Sequence, residues 1–214
     1  MMLVEPQQNA LHFYPTLLAN GFRRSGDQVY RPNCAHCQAC QSLRISTRRF
    51  KKSRSQKRLS NKNKHFRIHI SDVSTPQYFD LYQRYINNIH ADGAMYPASH
   101  AQYETFINSS WACPLFIEIY DQKKLISVSV TDQINSATSR NWSAFYCFFD
   151  PDYRHYSLGK FAVLTQIELA KQSAIDWLYL GYYIENCQKM NYKVEFNPHQ
   201  RFIDGQWLDF NHKD

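Results

Sequence analysis

Phe79, Tyr82, Ile86 and Ile89 recur at spacings of three and four behind Thr75-Pro76, and Gly93 follows them. That period marks an amphipathic helix, with Thr75 as N-cap and Pro76 at the first helical position. Ser99 and Gln102 form a capping-box start for a second helix that turns Tyr103, Phe106 and Ile107 inward. The pattern then changes to short β-rich runs: "LFIEIY", a turn at Asp121 to Lys124, "LISVSVTDQI" and, after a polar loop, "WSAFYCFF". "SLGKFAVLTQIELAKQ" returns to the helical period, and "DWLYLGYYI" predicts one more strand. Upstream, a helix from about His12 to Asn20 stops at Gly21, and "FRRSGDQVYR" predicts a hairpin around Ser25-Gly26-Asp27. Residues 48–66 are polar with isolated apolar positions, which predicts partly extended chain and partly loop. Near Ser71 the composition shifts, dividing the chain into domains of residues 1–70 and 71–214.

Charge sharpens that division. The 214-residue chain carries a net charge of +7, yet Gln28 to Ser71 holds twelve Lys or Arg and no acid. The remainder has 13 basic and 18 acidic residues, so all the positive excess sits in one segment. A solvated basic face is the simple explanation. A segment this long without acids favours a polyanionic partner, and nucleic acid over a membrane surface. Hydrophobic residues make up 43% of the chain, a globular composition. No apolar run is long enough to cross a bilayer, and "MMLVEPQQNALHF" lacks the basic start and apolar block of a secretion signal. Cytoplasmic localisation without membrane contact is the expectation. The six cysteines do not resemble a secreted disulfide framework. Cys34, Cys37 and Cys40 stand three apart in "NCAHCQACQSLRI", a spacing used by zinc and iron–sulfur sites. A metal-free trio packed in a small domain explains the cluster as well, and the spacing leaves both open.

The element order from Pro76 onward, two helices, three antiparallel strands, a helix and a strand, resembles the acyltransferase fold of the GNAT superfamily. The expected class is therefore α/β (α+β), a GNAT-like domain behind a small, basic, cysteine-bearing domain. In that fold the strand before the central helix splays from the strand after it, and a short glycine-rich turn opens the helix. Here "RHYSLG" stands at that place, with Ser157 where glycine is usual.

Longer stretches carry a closer resemblance: "NGFRRSGDQVYRPNCAHCQACQSLRI", "KSRSQKR", "MYP", "AFYCFFDPDY", "SLGKFAVLTQIE" and "WLYLGYYIENCQKMNYK". Spread in order from about Asn20 to Lys193, they resemble the bacterial leucyl-tRNA–protein transferases, relatives of the arginyl-tRNA–protein transferases. The resemblance implies transfer of leucine from leucyl-tRNA to proteins beginning with Asp or Glu, which marks them for degradation. Its alternatives are arginyl transfer by the same chemistry and a non-catalytic tRNA-binding homologue. It implies no cofactor for the transfer itself, with an iron–sulfur cluster or zinc at the cysteines through the arginyl branch. Family members carry a further cysteine upstream, in a stretch resembling "CSYL", that this sequence lacks.

An aminoacyl-tRNA ester is already activated, and the attacking α-amine has a pKa near ~8. Catalysis then needs orientation and donors aimed at the developing oxyanion, with no nucleophilic side chain. Backbone N–H groups around Tyr146 and Phe148, with the turn from Ser157 to Gly159, are the expected catalytic site. Asp150, before Pro151, fits a turn better than a base. Acidic first residues call for an arginine fork, for which Arg44, Arg54 and Arg58 are candidates with Arg44 first. Tyr182 and Met190, with Tyr146 and Phe148, could wall a leucine pocket. Lys51, Lys52, Lys57, Lys160 and Lys193 are candidate phosphate contacts, and Tyr96 or Tyr192 could stack on the tRNA's terminal adenine.

Overall fold

The strand-forming runs assemble into one long sheet, described by a computed structural model over residues 1–4, 10–136 and 138–211. In chain order the elements are β1 (Met2–Val4), α1 (Ala10–Ala19), β2 (Arg23–Ser25), β3 (Gln28–Arg31), β4 (Gln41–Ser46), α2 (Arg54–Lys62) and β5 (Arg67–Ser71). Then follow α3 (Pro76–Ile89), α4 (His100–Ile107), β6 (Pro114–Asp121), β7 (Lys124–Asn135), β8 (Arg140–Phe149) and α5 (Leu158–Gln172). The chain closes with β9 (Trp177–Tyr183), α6 (Gln188–Asn191), β10 (His199–Ile203) and β11 (Gln206–Phe210). Short 3-10 turns occupy Pro151–Tyr156 and Tyr192–Glu195.

Eight strands form the main sheet in the order β11-β10-β4-β9-β8-β7-β6-β5, and β1, β3 and β2 make a small second sheet. All neighbours in the main sheet run antiparallel except β8 and β9. Those two are parallel and pair only from Asn141↔Trp177 to Ser143↔Tyr179. Beyond that point β8 follows β7 to Phe149, while β9 follows β4 to Tyr183. The two strands part, leaving a wedge between residues 144–149 and 180–183. The mixed α/β class and the splayed strands match the sequence-based expectation.

Helices cover both faces of the sheet. Phe116 and Ile117 are successive residues of β6, so their side chains point to opposite faces. Phe116 joins Tyr78, Tyr82, Ile86 and Tyr103 of α3 and α4 with Val128, Val130 and Phe148. Ile117 joins Leu164 and Ile167 of α5 with Leu43, Ile45 and Leu178. A third cluster ties Tyr14 and Leu18 of α1 to Val29 and Tyr179.

Residues 48–66 depart from the expected extended chain and loop, because they contain α2. Its start is a capping box: Gln56 N–H donates to Ser53 Oγ at 3.3 Å, and Ser53 N–H donates to Gln56 Oε1 at 2.9 Å. The inward face is mostly polar. Gln56 donates to the Glu195 carbonyl at 3.0 Å and Asn63 to that of Tyr156 at 2.9 Å, with Leu59 supplying the apolar contact. Hydrophobic periodicity therefore had little to register. The expected boundary at residues 70 and 71 falls at the end of β5. Chain on its N-terminal side supplies β4, between β9 and β10, and β5, at the sheet's edge.

Candidate active site

The wedge between β8 and β9 is the natural place for a reaction centre, because two strand ends and a helix start converge there. On one side stand Tyr146 and Cys147 of β8; Tyr85 of α3 and Tyr192 of the 3-10 turn are close enough to act on them electrostatically. Burial, then Tyr146, Cys147 and Tyr192, raises the Tyr85 phenol, and burial, then Tyr82 and Cys147, raises that of Tyr146. Tyr192 is pushed up to about 12, by burial first and then by Cys147 and Glu195. These phenols keep their protons near neutral pH, so they can donate hydrogen bonds to a developing oxyanion, and one can take up a proton only while passing its own to a neighbour.

Sequence reading missed Tyr85 and His90. His90 Nε2 lies 3.0 Å from the Tyr85 hydroxyl, and burial, followed by the charge of Lys189, lowers the imidazole pKa. A neutral imidazole is a suitable acceptor for an amine proton. Their spacing on the α3 period marks Tyr85 as core, so no sequence signal separated it from its neighbours.

Ser157 closes the 3-10 turn and opens α5 in the left-handed conformation, φ 52° and ψ 47°, with no side-chain cap bond. This is the conformation that glycine, the residue usual at this place, adopts without cost. The first N–H groups of α5 are thus free of a capping side chain, an arrangement that favours anions and polarised oxygens. Gly159 follows in the first turn, against Phe149.

Several expected site residues are placed otherwise. Phe148 is fully buried against Tyr82 and Tyr103, so its side chain belongs to the core and not to a catalytic surface. Tyr146 is partly buried, its hydroxyl 3.9 Å from the sulfur of Met95 and its ring against Phe106. Met95 and Phe106 also line an open cleft of about 1050 Å³ between the β2–β3 hairpin and α4. Lys193 is buried, with Nζ donating to the Tyr182 carbonyl at 2.5 Å, which removes it from any surface phosphate path. Lys160 is tied to Glu195 at 2.7 Å. Tyr182 is buried and donates to the Gly21 carbonyl at 2.9 Å, while Met190 is half-buried in α6. Tyr192 is also half-buried, whereas Tyr96 is exposed.

Arg44 is held on all sides. Its guanidinium lies 4.0 Å from the Trp177 ring and 4.1 Å from that of Trp207. Its Nε donates to Gln200 at 2.8 Å and its Nη1 to the Tyr179 hydroxyl at 2.9 Å. Arg54, Lys57 and Arg58 instead share one exposed face of α2 and, among the described residues, form no ion pair. Lys51 is exposed as well, and Lys52 reaches Glu168 at 3.5 Å. Asp150 is the turn anchor expected of it. Burial alone would raise its carboxyl, but bonds from Lys124 and the Asp152 N–H, with the charge of Arg84, outweigh burial and hold it below the usual range.

Cys34 and Cys37 are exposed, Cys40 half-buried, and all three are free thiols. Burial and then the neighbouring Cys37 and Cys34 raise the Cys40 thiol. Among the described residues no group of three or more His, Cys, Asp or Glu side chains is arranged to hold a metal ion. No described helix is long and apolar enough to cross a membrane.

Comparison with known proteins places this geometry. A family model described as "Arginine-tRNA-protein transferase, C terminus" matches residues 77–203, and its N-terminal counterpart matches residues 1–58. The aspartate/glutamate leucyltransferase of Aeromonas hydrophila is 47% identical over 200 residues, spanning 94% of this chain and 82% of that protein. That of Pseudoalteromonas atlantica is 46% identical over 202 residues, spanning 94% and 86%. In fold alone, the chain is similar to the crystal structure of the C-terminal domain of a protein assigned as a lysylphosphatidylglycerol synthetase in Agrobacterium fabrum. That likeness has a TM-score of 0.53 at 10% identity and covers 92% of this chain and 62% of the other. With both of its terminal family models matched, the chain belongs to the arginine-tRNA–protein transferase family.

Proposed function

We propose that the protein moves leucine from leucyl-tRNA onto the α-amine of proteins whose first residue is Asp or Glu, marking them for degradation. The observation that carries this reading is the identity of 46–47% with aspartate/glutamate leucyltransferases along nearly the whole chain. The parted strands support it, since a wedge beside an uncapped helix start is the GNAT-like arrangement for an acyl donor.

The amine nitrogen attacks the ester carbonyl, the bond to the tRNA's terminal ribose oxygen breaks, and an amide forms. One proton leaves the amine and one is taken up by the departing ribose oxygen, which leaves as a hydroxyl. The ester is already activated, so the transfer requires no cofactor, and a metal at Cys34, Cys37 and Cys40 has no part in it. Tyr146 with the N–H groups after Ser157 would face the oxyanion, and His90, through Tyr85, would accept the amine proton. The exposed face of α2 would follow the tRNA backbone.

The test is transfer of labelled leucine from leucyl-tRNA to peptides that differ only in their first residue. Label should appear on Asp- and Glu-starting peptides and not on Lys-starting ones, with no transfer from arginyl-tRNA. Transfer from arginyl-tRNA instead would move the protein to the arginyl branch. Binding of tRNA with no transfer from either donor would make it a non-catalytic homologue.

A further inference from the structure

Two cations lie near one another inside the protein with, among the described residues, no carboxylate to meet them. Arg23, on β2, is 6% exposed, and Lys193, in the 3-10 turn after α6, is 8% exposed. The charge of Arg23 reaches Lys193, and the groups acting on the arginine are Tyr14, Tyr182, Tyr179 and Tyr30. Its guanidinium stands 5.4 Å from the Tyr179 ring and 5.5 Å from that of Tyr182. A register shift at Leu43/Arg44, opposite a Gly181 with φ of +80°, brings Tyr179 and Tyr182 to one face of β9.

The donors of Arg23 are the decisive detail. Nη1 donates to the Phe22 carbonyl at 2.6 Å, but among the described residues Nε and Nη2 have no acceptor. Those two N–H groups form one edge of the guanidinium. By the same edge its neighbour Arg24 grips Asp132, Nε to Oδ2 and Nη2 to Oδ1, both at 2.7 Å. An edge with two parallel donors matches a carboxylate in two places. A buried charge without a partner is costly, and two like charges together are more so. An incoming anion that offsets both would be bound strongly.

We infer that Arg23 and Lys193 receive the side-chain carboxylate of the substrate's acidic first residue. This rests on the transfer reading above and replaces Arg44, whose Nε and Nη1 are engaged and whose plane lies between two tryptophan rings. The position suits that role. Tyr179 pairs with Ser143 at the last step before β8 and β9 part, so the ring beside Arg23 stands at the apex of the wedge, and Tyr182, whose carbonyl receives Lys193 Nζ, follows on the parted stretch of β9.

The test is leucine transfer to peptides beginning with Asp, Glu, Asn or Gln, by wild type, Arg23→Met and Lys193→Met. Arg23→Met should cut the ratio of Asp to Asn transfer about 100-fold, and Lys193→Met should cut it less. Thermal unfolding of both variants should show an intact fold. Equal loss for all four peptides, or weakened leucyl-tRNA binding with the ratio unchanged, would overturn the assignment, the second pointing to a phosphate contact. Should wild type transfer leucine to no peptide, the transfer reading fails, and calorimetric binding of the Asp and Asn peptides to wild type and Arg23→Met decides the site separately. There, an Asp preference lost with Arg23 upholds it, and no preference sinks it.

Discussion

Arg23 and Arg24 are neighbours on β2 and both are buried, yet the protein treats their charges in opposite ways. Arg24 is locked to Asp132 by two bonds of 2.7 Å and lies over the Phe145 ring at 3.8 Å. Its charge is neutralised within the chain, and the pair joins the small sheet to β7. Arg23 faces tyrosine rings and a second cation, Lys193, and among the described residues keeps two donors without acceptors. The first arrangement serves folding. The second costs folding free energy and makes sense where binding recovers it, which is the usual separation between a structural ion pair and a recognition site.

The contrast can be broken most forcefully at Asp132. Removing one member of a buried ion pair leaves the other charge without compensation, at about 3–5 kcal/mol. Asp132→Ala should therefore lower the unfolding free energy by that amount in urea titrations, with Arg24→Met/Asp132→Leu recovering most of it. Arg23→Met, by comparison, should leave stability unchanged or raise it, because it removes a buried charge that meets no carboxylate among the described residues. Equal destabilisation by Asp132→Ala and Arg23→Met would dissolve the distinction.

A smaller effect follows from pH. Burial, then Arg23, lowers Lys193 from 10.5 to about 8, against a small opposing influence of Cys187. Arg23 on β2 and Cys187 ahead of α6 are the titratable groups that act on it, while its Nζ donates to the backbone carbonyl of Tyr182 on β9. Below pH 8 the folded and unfolded chains both hold the proton, and the full penalty, on the order of 3 kcal/mol, stands. Between about 8 and 10.5 the unfolded chain binds a proton that the folded chain does not, so this contribution raises stability with pH. Lys193→Met should thus gain most over wild type at pH 7 and progressively less toward pH 10, as read from paired denaturation curves. A difference that does not change with pH would mean that Lys193 is not held as a buried cation.

The sequence was most legible where one physical signal dominated. From Pro76 to Tyr183 the apolar period and turn residues specify α3 through β9, because each element buries a conventional face. The same logic missed α2, whose inward face is held by Gln56 and Asn63, although its Ser53-x-x-Gln56 capping box was in plain view. It missed β4 because "QSLRIS" is short and its place depends on β9 and β10, both distant in the chain. For the site, electrostatics pointed to an arginine for acidic substrates but could not choose among many. Arg44 stood out by its position, and tryptophans on both sides then claimed it. Arg23 looks like any hairpin residue until the fold shows which neighbours it lacks.

The smallest effect distinguishes buried cations from exposed ones. Arg54, Lys57 and Arg58 follow one another at spacings of three and one, which puts them on the solvent face of α2 while Gln56 and Leu59 turn inward. Charges so exposed contribute little to folding, but each phosphate they neutralise releases counterions. Log affinity then falls with log salt concentration by about 0.7–0.9 per contact. Replacing all three by glutamine should reduce the magnitude of the tRNA salt slope by about 2 to 3. Lys52, half-buried and paired with Glu168, should change it less. The Asp-to-Asn transfer ratio should not move in the triple variant, because the first residue is read elsewhere. A shift in that ratio would join the two cationic regions into one substrate surface, and an unchanged slope would put the tRNA on another face.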